Sequence, residues 1–190
     1  MKTIQSGIIG ELTQDKNFEH WWKSELIEIP LLNNKKVEIA FIDFIPEIDT
    51  DFIKEADEAL KVFLEKSKYE KTLLTPLLFK HCMKYRNAIG SDQVNQNLWK
   101  IKDENKIWDF ISGEHIIVTR SHGKKEMIYV NLNCECEWDK EHGLQILYKK
   151  GQKLTRISEQ DGDISEVDFY KNTEKSKTFS INKQWWQFWK

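Results

Sequence analysis

A chain of 190 residues suits one domain with a short appendage. Its 29 basic and 31 acidic residues nearly cancel to a net charge of −2. That argues against a general nucleic-acid binder, which carries a basic excess or stripe. No run approaches the ~20 apolar residues that span a bilayer, and three cysteines are too few for a disulfide scaffold, so the expected compartment is the cytoplasm.

The first twenty residues, MKTIQSGIIGELTQDKNFEH, hold a short apolar patch broken by glycines and then charges. They lack the apolar core and small-residue cleavage site of a signal peptide. A strand is expected through Phe18 to Trp22, with one of the adjacent rings Trp21 and Trp22 in the core and the other outside. Leu26–Pro30 and Val37–Phe44 alternate apolar with polar residues around Asn33-Asn34, which predicts an N-terminal β-hairpin. Asp49 and Thr50 offer an N-cap to a helix whose apolar stripe is Phe52, Ala56, Ala59 or Leu60, and Phe63. A second helix is predicted from Thr75-Pro76, with proline at its first position. It would carry Leu78, Cys82, Tyr85 and Ile89 and stop at Gly90. A short helix over Asp103–Ile111 holds Trp108 and ends at Gly113. Strands then follow from Glu114 to Arg120 and through three more segments, with turns at His122-Gly123, His142-Gly143 and Lys150-Gly151. Short connections between consecutive strands predict an antiparallel meander.

The clearest alternation runs from Met127 to Trp138. Ile128, Val130, Leu132, Cys134, Cys136 and Trp138 fall on one side of an extended chain, and Tyr129, Asn131, Asn133, Glu135 and Glu137 on the other. This predicts cysteines on a core face and carboxylates on a wet one, followed by a loop over Trp138–Gly143. Trp99 and Trp108 are expected in the core or at its rim. From Ser165 the composition turns polar (Lys171–Lys177 is KNTEKSK) and reads as a linker. It leads to the cluster Trp185, Trp186, Phe188 and Trp189. Exposed aromatics of this kind are costly unless they dock, either on their own domain or on a partner or membrane interface. In the last case the domain would act as a peripheral adaptor. The expected division is a single α+β domain over 1–164, with helices packed on one face of an antiparallel sheet, and a linker plus aromatic tail over 165–190.

Cys134 and Cys136 are spaced CxC, whereas structural zinc usually takes a CxxC-type pair and a second pair of ligands. With Cys82 in mid-helix, buried reduced thiols are expected, with no metal and no other cofactor. Glu141, His142 and nearby Asp139 offer a base and an orienting carboxylate. The alternative catalytic reading is therefore a small hydrolase-like enzyme using Glu141 and His142. Nothing marks a nucleophile beside them, and His142 before Gly143 fits a turn with positive φ at the glycine. Asp161-Gly162-Asp163 is a fragment of a calcium loop without the rest of the pattern, so a turn is expected. Together Glu135, Glu137, Asp139, Glu141, Asp161 and Asp163 form a candidate acidic face for a basic partner, the alternative being a solvated face. P-loop, GxGxxG, HExxH and GxSxG patterns are lacking.

From Trp108 onward the pattern IWDFI…EHIIVTR…MIYVNLNCECEWDKEHGLQILYKKGQKLTRISEQDGD resembles the C-terminal half of a family of uncharacterised bacterial cytosolic domains. The matching positions are Cys134, Cys136, Trp138, Glu141, His142, Gly143, Leu144, Gly151, Leu154, Arg156, Ser158, Asp161 and Gly162. The N-terminal half agrees in element order only. The resemblance implies a fold and brings no established activity. By analogy of fold and size, such domains are similar to immunity proteins, which bind and block a toxin. The expectation is therefore a non-catalytic cytosolic binding protein, immunity-type or accessory to a bacterial toxin or defence system. Its partner would be a protein such as a basic toxin domain.

Overall fold

The computed structural model describes residues 2–89, 100–121 and 126–166. Among these residues eight strands form one sheet, in the same order as the chain. The first two come from the glycine-broken patch, where sequence alone suggested no strand. β1 (Thr3–Ser6) and β2 (Gly10–Gln14) pair antiparallel. They are too short to show a period, and their turn leans on a distant residue: Asp57 accepts from the Ser6 hydroxyl and from the Gly7 N–H at 2.7 Å.

The strand expected from Phe18 begins only at Trp22. Asp15 Oδ1 accepts from the N–H groups of Asn17 and Phe18 and holds a turn there. β3 (Trp22–Ile29) then passes through a 3-10 turn at Pro30–Leu32 into β4 (Lys35–Phe41). Asn33 and Asn34 turn the chain with φ of 58° and 59°, in the left-handed region that asparagine tolerates. This is the predicted hairpin.

α1 (Phe52–Leu64) buries Phe52, Ala56, Ala59, Leu60 and Phe63, the expected stripe. Its cap differs: Asp51 occupies the N-cap without a side-chain bond, and Asp49 is drawn off to Arg120, Nε at 2.7 Å and Nη2 at 3.1 Å. α2 (Lys68–Ile89) starts well before Thr75 and carries Pro76 in its interior. Proline there forfeits a hydrogen bond to the Thr72 carbonyl. The helix persists because Leu74, Leu78 and Cys82 are buried and Trp108 Nε1 donates to Thr75 Oγ1 at 3.0 Å. Gly90 and Trp99 lie outside the described residues. The helix expected over Asp103–Ile111 is a 3-10 helix at Glu104–Phe110, capped by Asp103, and Gly113 falls inside the next strand.

β5 (Ile111–Arg120), β6 (Ile128–Cys136), β7 (Asp139–Lys149) and β8 (Lys153–Ser158) form the antiparallel meander. The expectation of a wholly antiparallel sheet fails at one place: β4 and β5 run parallel, with Ile39 opposite Ile116. A parallel neighbour requires a long crossover, and α1, α2 and the 3-10 helix supply it. Hairpin and meander thereby become one mixed sheet. Among the described residues, no helix is long and apolar enough to cross a membrane.

The buried residues of both helices share one cluster with Ile39, Phe41, Ile116, Val118, Val130, Leu132, Ile146 and Tyr148. Side chains of alternate phase, Ala40, Ile42 and Ile117, form a second cluster with Trp21, against which Phe18 stacks at 4.7 Å. Trp22 belongs to the first cluster, so both rings of the Trp21-Trp22 pair are buried. The idea that one ring would face water is corrected.

Candidate functional site

β6 ends in a tight turn at Glu137-Trp138, and β7 starts at Asp139. The loop predicted over Trp138–Gly143 is instead the beginning of a strand carrying a wide bulge. Cys136 pairs with Asp139 and Cys134 with Leu144, so two steps on β6 oppose five on β7. Gly143 sits in that bulge at φ 69°, the positive value expected of it.

Extra residues in a ladder leave backbone groups without strand partners, and two side chains take them up. Asp139 Oδ1 accepts from the His142 N–H and from His142 Nδ1, both at 3.0 Å. Gln160 Nε2 donates to the carbonyls of Cys134 at 2.7 Å and Leu144 at 3.3 Å. Asp139 is only 1% exposed, and its second oxygen has no hydrogen-bond partner among the described residues. Tyr85 on α2 faces this region. Burial raises its phenol to about 12, helped by the charge of Asp139 and a side-chain interaction with that carboxylate, so it stays protonated. One helical turn earlier, His81 accepts at Nδ1 from Trp138 Nε1, 3.3 Å away.

The arrangement therefore brings together Asp139 and His142, with Tyr85 and His81 above them. Glu141 is exposed, and the carboxylate bonded to the His142 imidazole belongs to Asp139, so the catalytic pairing of Glu141 with His142 finds Asp139 in the orienting place. No thiol nearby is a ready nucleophile. Cys136 donates to the Asp139 carbonyl at 3.5 Å and is pushed up to about 12 by burial, Cys82 to about 11, and Cys134 well above its ordinary value. All three cysteines are free and buried. Among the described residues, no three His, Cys, Asp or Glu side chains are grouped so as to hold a metal ion.

The candidate acidic face divides in two. Glu135, Glu137 and Glu141 are exposed, and their carboxylates make no ion pair among the described residues. Asp139 is internal. Asp161 and Asp163 are taken by Arg156, itself 8% exposed, at 2.9 Å each. Burial pushes Asp163 up, but the bonds from Ser165 and the charge of Arg156 outweigh it and hold the carboxyl below its ordinary range. Gln145 ties the same network, donating to Ser158, to Asp161 Oδ1 at 2.9 Å and to the Asp163 carbonyl.

This network overturns the expectation that the second face of β6 is wet. Tyr129, Asn131 and Asn133 are buried beside Glu135, which alone of that phase within the strand is exposed. The strand alternates as its sequence implies, but a segment beyond β8 folds back over the face, and alternation cannot reveal that. Ser165 and Glu166, assigned to a linker, are still bonded there: Ser165 to Arg156, and Glu166 to Lys149. Sequence reasoning misses His81, Tyr85, Gln145 and Gln160 as members of these networks. The i, i+4 spacing of His81 and Tyr85 is the one signal that points to a shared helix face; Gln160 offers none. Trp185, Trp186, Phe188 and Trp189 lie outside the described residues, as does the turn predicted at His122-Gly123.

Burial holds His81, and also His115 on β5, below the ordinary imidazole value of 6.5. The unfolded chain binds a proton near that value, while the folded one resists it. Stability is therefore full above about pH 6.5 and falls as the pH drops below it, by up to about 1.4 kcal/mol per pH unit for each histidine. Urea denaturation at pH 7 and pH 5 should show the loss, and His81→Gln should flatten it. A protein equally stable at both values would contradict this account of the two imidazoles.

Fold and site together define a small α+β domain on one mixed sheet, with two helices in its parallel crossover and a polar network closing the hairpin end. The family model described as Domain of unknown function (DUF6985) matches residues 8–164, and the chain belongs to that family. No curated protein and no solved structure matches the chain.

Proposed function

We propose that this domain is a non-catalytic binding protein that meets a basic protein partner through the hairpin end of β6 and β7. One observation carries the reading: the acidic residues divide into those with internal work and three, Glu135, Glu137 and Glu141, whose carboxylates are exposed on one short stretch. The bulge beneath them is held by Asp139, His142 and Gln160, so the stretch is presented on a rigid support. Carboxylates so placed attract a basic surface and speed its docking. An immunity-type role in the cytoplasm, with a basic toxin domain as partner, is the particular form of this reading.

The triple reversal Glu135→Lys, Glu137→Lys, Glu141→Lys tests it. Exposed substitutions of this kind cost little stability, so the thermal midpoint should stay within a few degrees. Capture of a basic protein from native lysate should be lost, and capture by the unaltered protein should weaken as salt rises. Undiminished capture by the reversed protein would refute the surface. A second reading, hydrolysis, is favoured by one contact, the Asp139–His142 pair, which orients an imidazole as a general base requires. It would be supported if His142→Ala abolished a hydrolytic activity while leaving the fold intact.

A further inference from the structure

We infer that α2 is a membrane-docking element whose exposed face lies on an anionic lipid surface. The helix packs on the core through Leu74, Leu78 and Cys82. On the side away from them Tyr69, Leu73, Pro76, Lys80 and Lys84 recur at helical spacing, and all five are exposed, Tyr69 at 67% and Leu73 at 50%. Lys68 flanks the same stripe. None of the exposed side chains of this helix is a carboxylate. Its one acid, Glu70, is taken by Lys66 at 3.5 Å and by the Tyr148 hydroxyl at 3.3 Å. α1 differs: its exposed positions Lys54, Glu58 and Lys61 carry both signs and no large apolar side chain.

The charge of α2 also stands apart from that of the chain. The helix holds five basic residues against Glu70, while the whole chain carries −2. The adjoining segment from Lys100 to Asp109 adds three lysines and three acids, and so no net charge. Lys68, Lys80 and Lys84 make no ion pair among the described residues. Lysine is a point charge on a flexible stem and suits a diffuse layer of phosphates, where arginine would serve bidentate recognition of one group. A tyrosine ring is at home at the headgroup level, and Leu73 and Pro76 can sink beside it while the lysine stems reach back to the phosphates. From Leu73 to Lys84 the exposed side chains offer no hydrogen-bond acceptor, so a partner read by hydrogen bonds finds little there. A bilayer asks only for charge and apolar depth.

Co-sedimentation of the full chain with phosphatidylcholine vesicles, with and without phosphatidylglycerol, gives the test. The unaltered protein should pellet with the anionic vesicles and stay in solution with the neutral ones, and the bound fraction should fall as salt rises. The Lys68→Glu, Lys80→Glu, Lys84→Glu variant should bind roughly a hundredfold less tightly, while Lys54→Glu, Lys61→Glu on α1 should retain binding. Tyr69→Ser, Leu73→Ser should weaken it as well. A site-specific readout does not depend on these variants. The three native cysteines are buried, so a thiol introduced by Leu73→Cys can be labelled selectively with the environment-sensitive fluorophore NBD. Its emission should brighten and shift to the blue with anionic vesicles, and that of the same probe on Glu58→Cys should not. Three results would each overturn the inference. The protein could fail to pellet. It could pellet with a silent probe at position 73, which would assign lipid contact to another part of the chain. Or it could ignore the vesicles yet be retained on polyglutamate, which would assign the face to an acidic protein partner.

Discussion

Gly151→Ala should be the most damaging conservative change in the described part of the chain. The turn between β7 and β8 rests directly on α1: a Cβ at Gly151 would lie 1.9 Å from the Ala59 carbonyl oxygen and 2.8 Å from its carbon. Both atoms belong to helix backbone and cannot rotate away, so the turn must lift off the helix. Gly151 also has φ 66°, which alanine resists. Lifting the turn disturbs Lys66, which donates to the Gln152 carbonyl and sits 4.7 Å over the Tyr148 ring. We expect a loss of about 3–4 kcal/mol, or a fall in the midpoint of roughly 6–16 °C for a chain of this length.

Two other glycines calibrate that figure. Gly10 has φ 84° but open space around its Cβ position, so Gly10→Ala should cost only the backbone term of about 1 kcal/mol. Gly143→Ala falls between them, because its Cβ would meet the Cys134 carbonyl oxygen at 2.8 Å and the more yielding Gln160 amide at 2.7 Å. Calorimetry should rank the losses Gly151, Gly143, Gly10. Equal costs at Gly151 and Gly10 would mean that the turn does not rest on α1.

Trp138→Ala should remove about 3–5 kcal/mol, the range for deleting a large buried aromatic. Trp138 is 1% exposed and heads the fully buried side chains by volume. It fills the space between the β6–β7 turn and α2, edge-on to His81 at 6.4 Å between ring centroids. Its loss opens a cavity beside Asp139, the residue that holds the bulge. Trp138→Phe keeps most of the volume and forfeits the N–H donated to His81, so about 1–2 kcal/mol is expected. Chemical denaturation of both variants decides the matter. A cost below about 1 kcal/mol for Trp138→Ala would show that α2 does not close over this turn.

The tryptophan and its two cysteines are legible in the sequence, because alternation with period two places Cys134, Cys136 and Trp138 on one side whatever covers them. The stripe of α1, the Asn33-Asn34 hairpin and the meander are legible for the same reason: each is a local rule read over neighbouring residues. The three exposed glutamates are also within reach, since Glu135 and Glu137 alternate with buried cysteines.

Tertiary structure decided the rest. Lys68–Ile89 is one helix across Pro76 because packing of Leu74 and Leu78 outweighs a lost hydrogen bond, a balance no local propensity contains. Asp49 leaves the cap of α1 because Arg120, far along the chain, competes for it. The six candidate acids part company because Arg156 is within reach of Asp161 and Asp163 but not of Glu135, Glu137 or Glu141. Sequence by itself set the phase of each strand and helix, whereas the pairing of β4 with β5, the bulge at His142-Gly143 and the division of charge arise from contacts between residues distant in the chain.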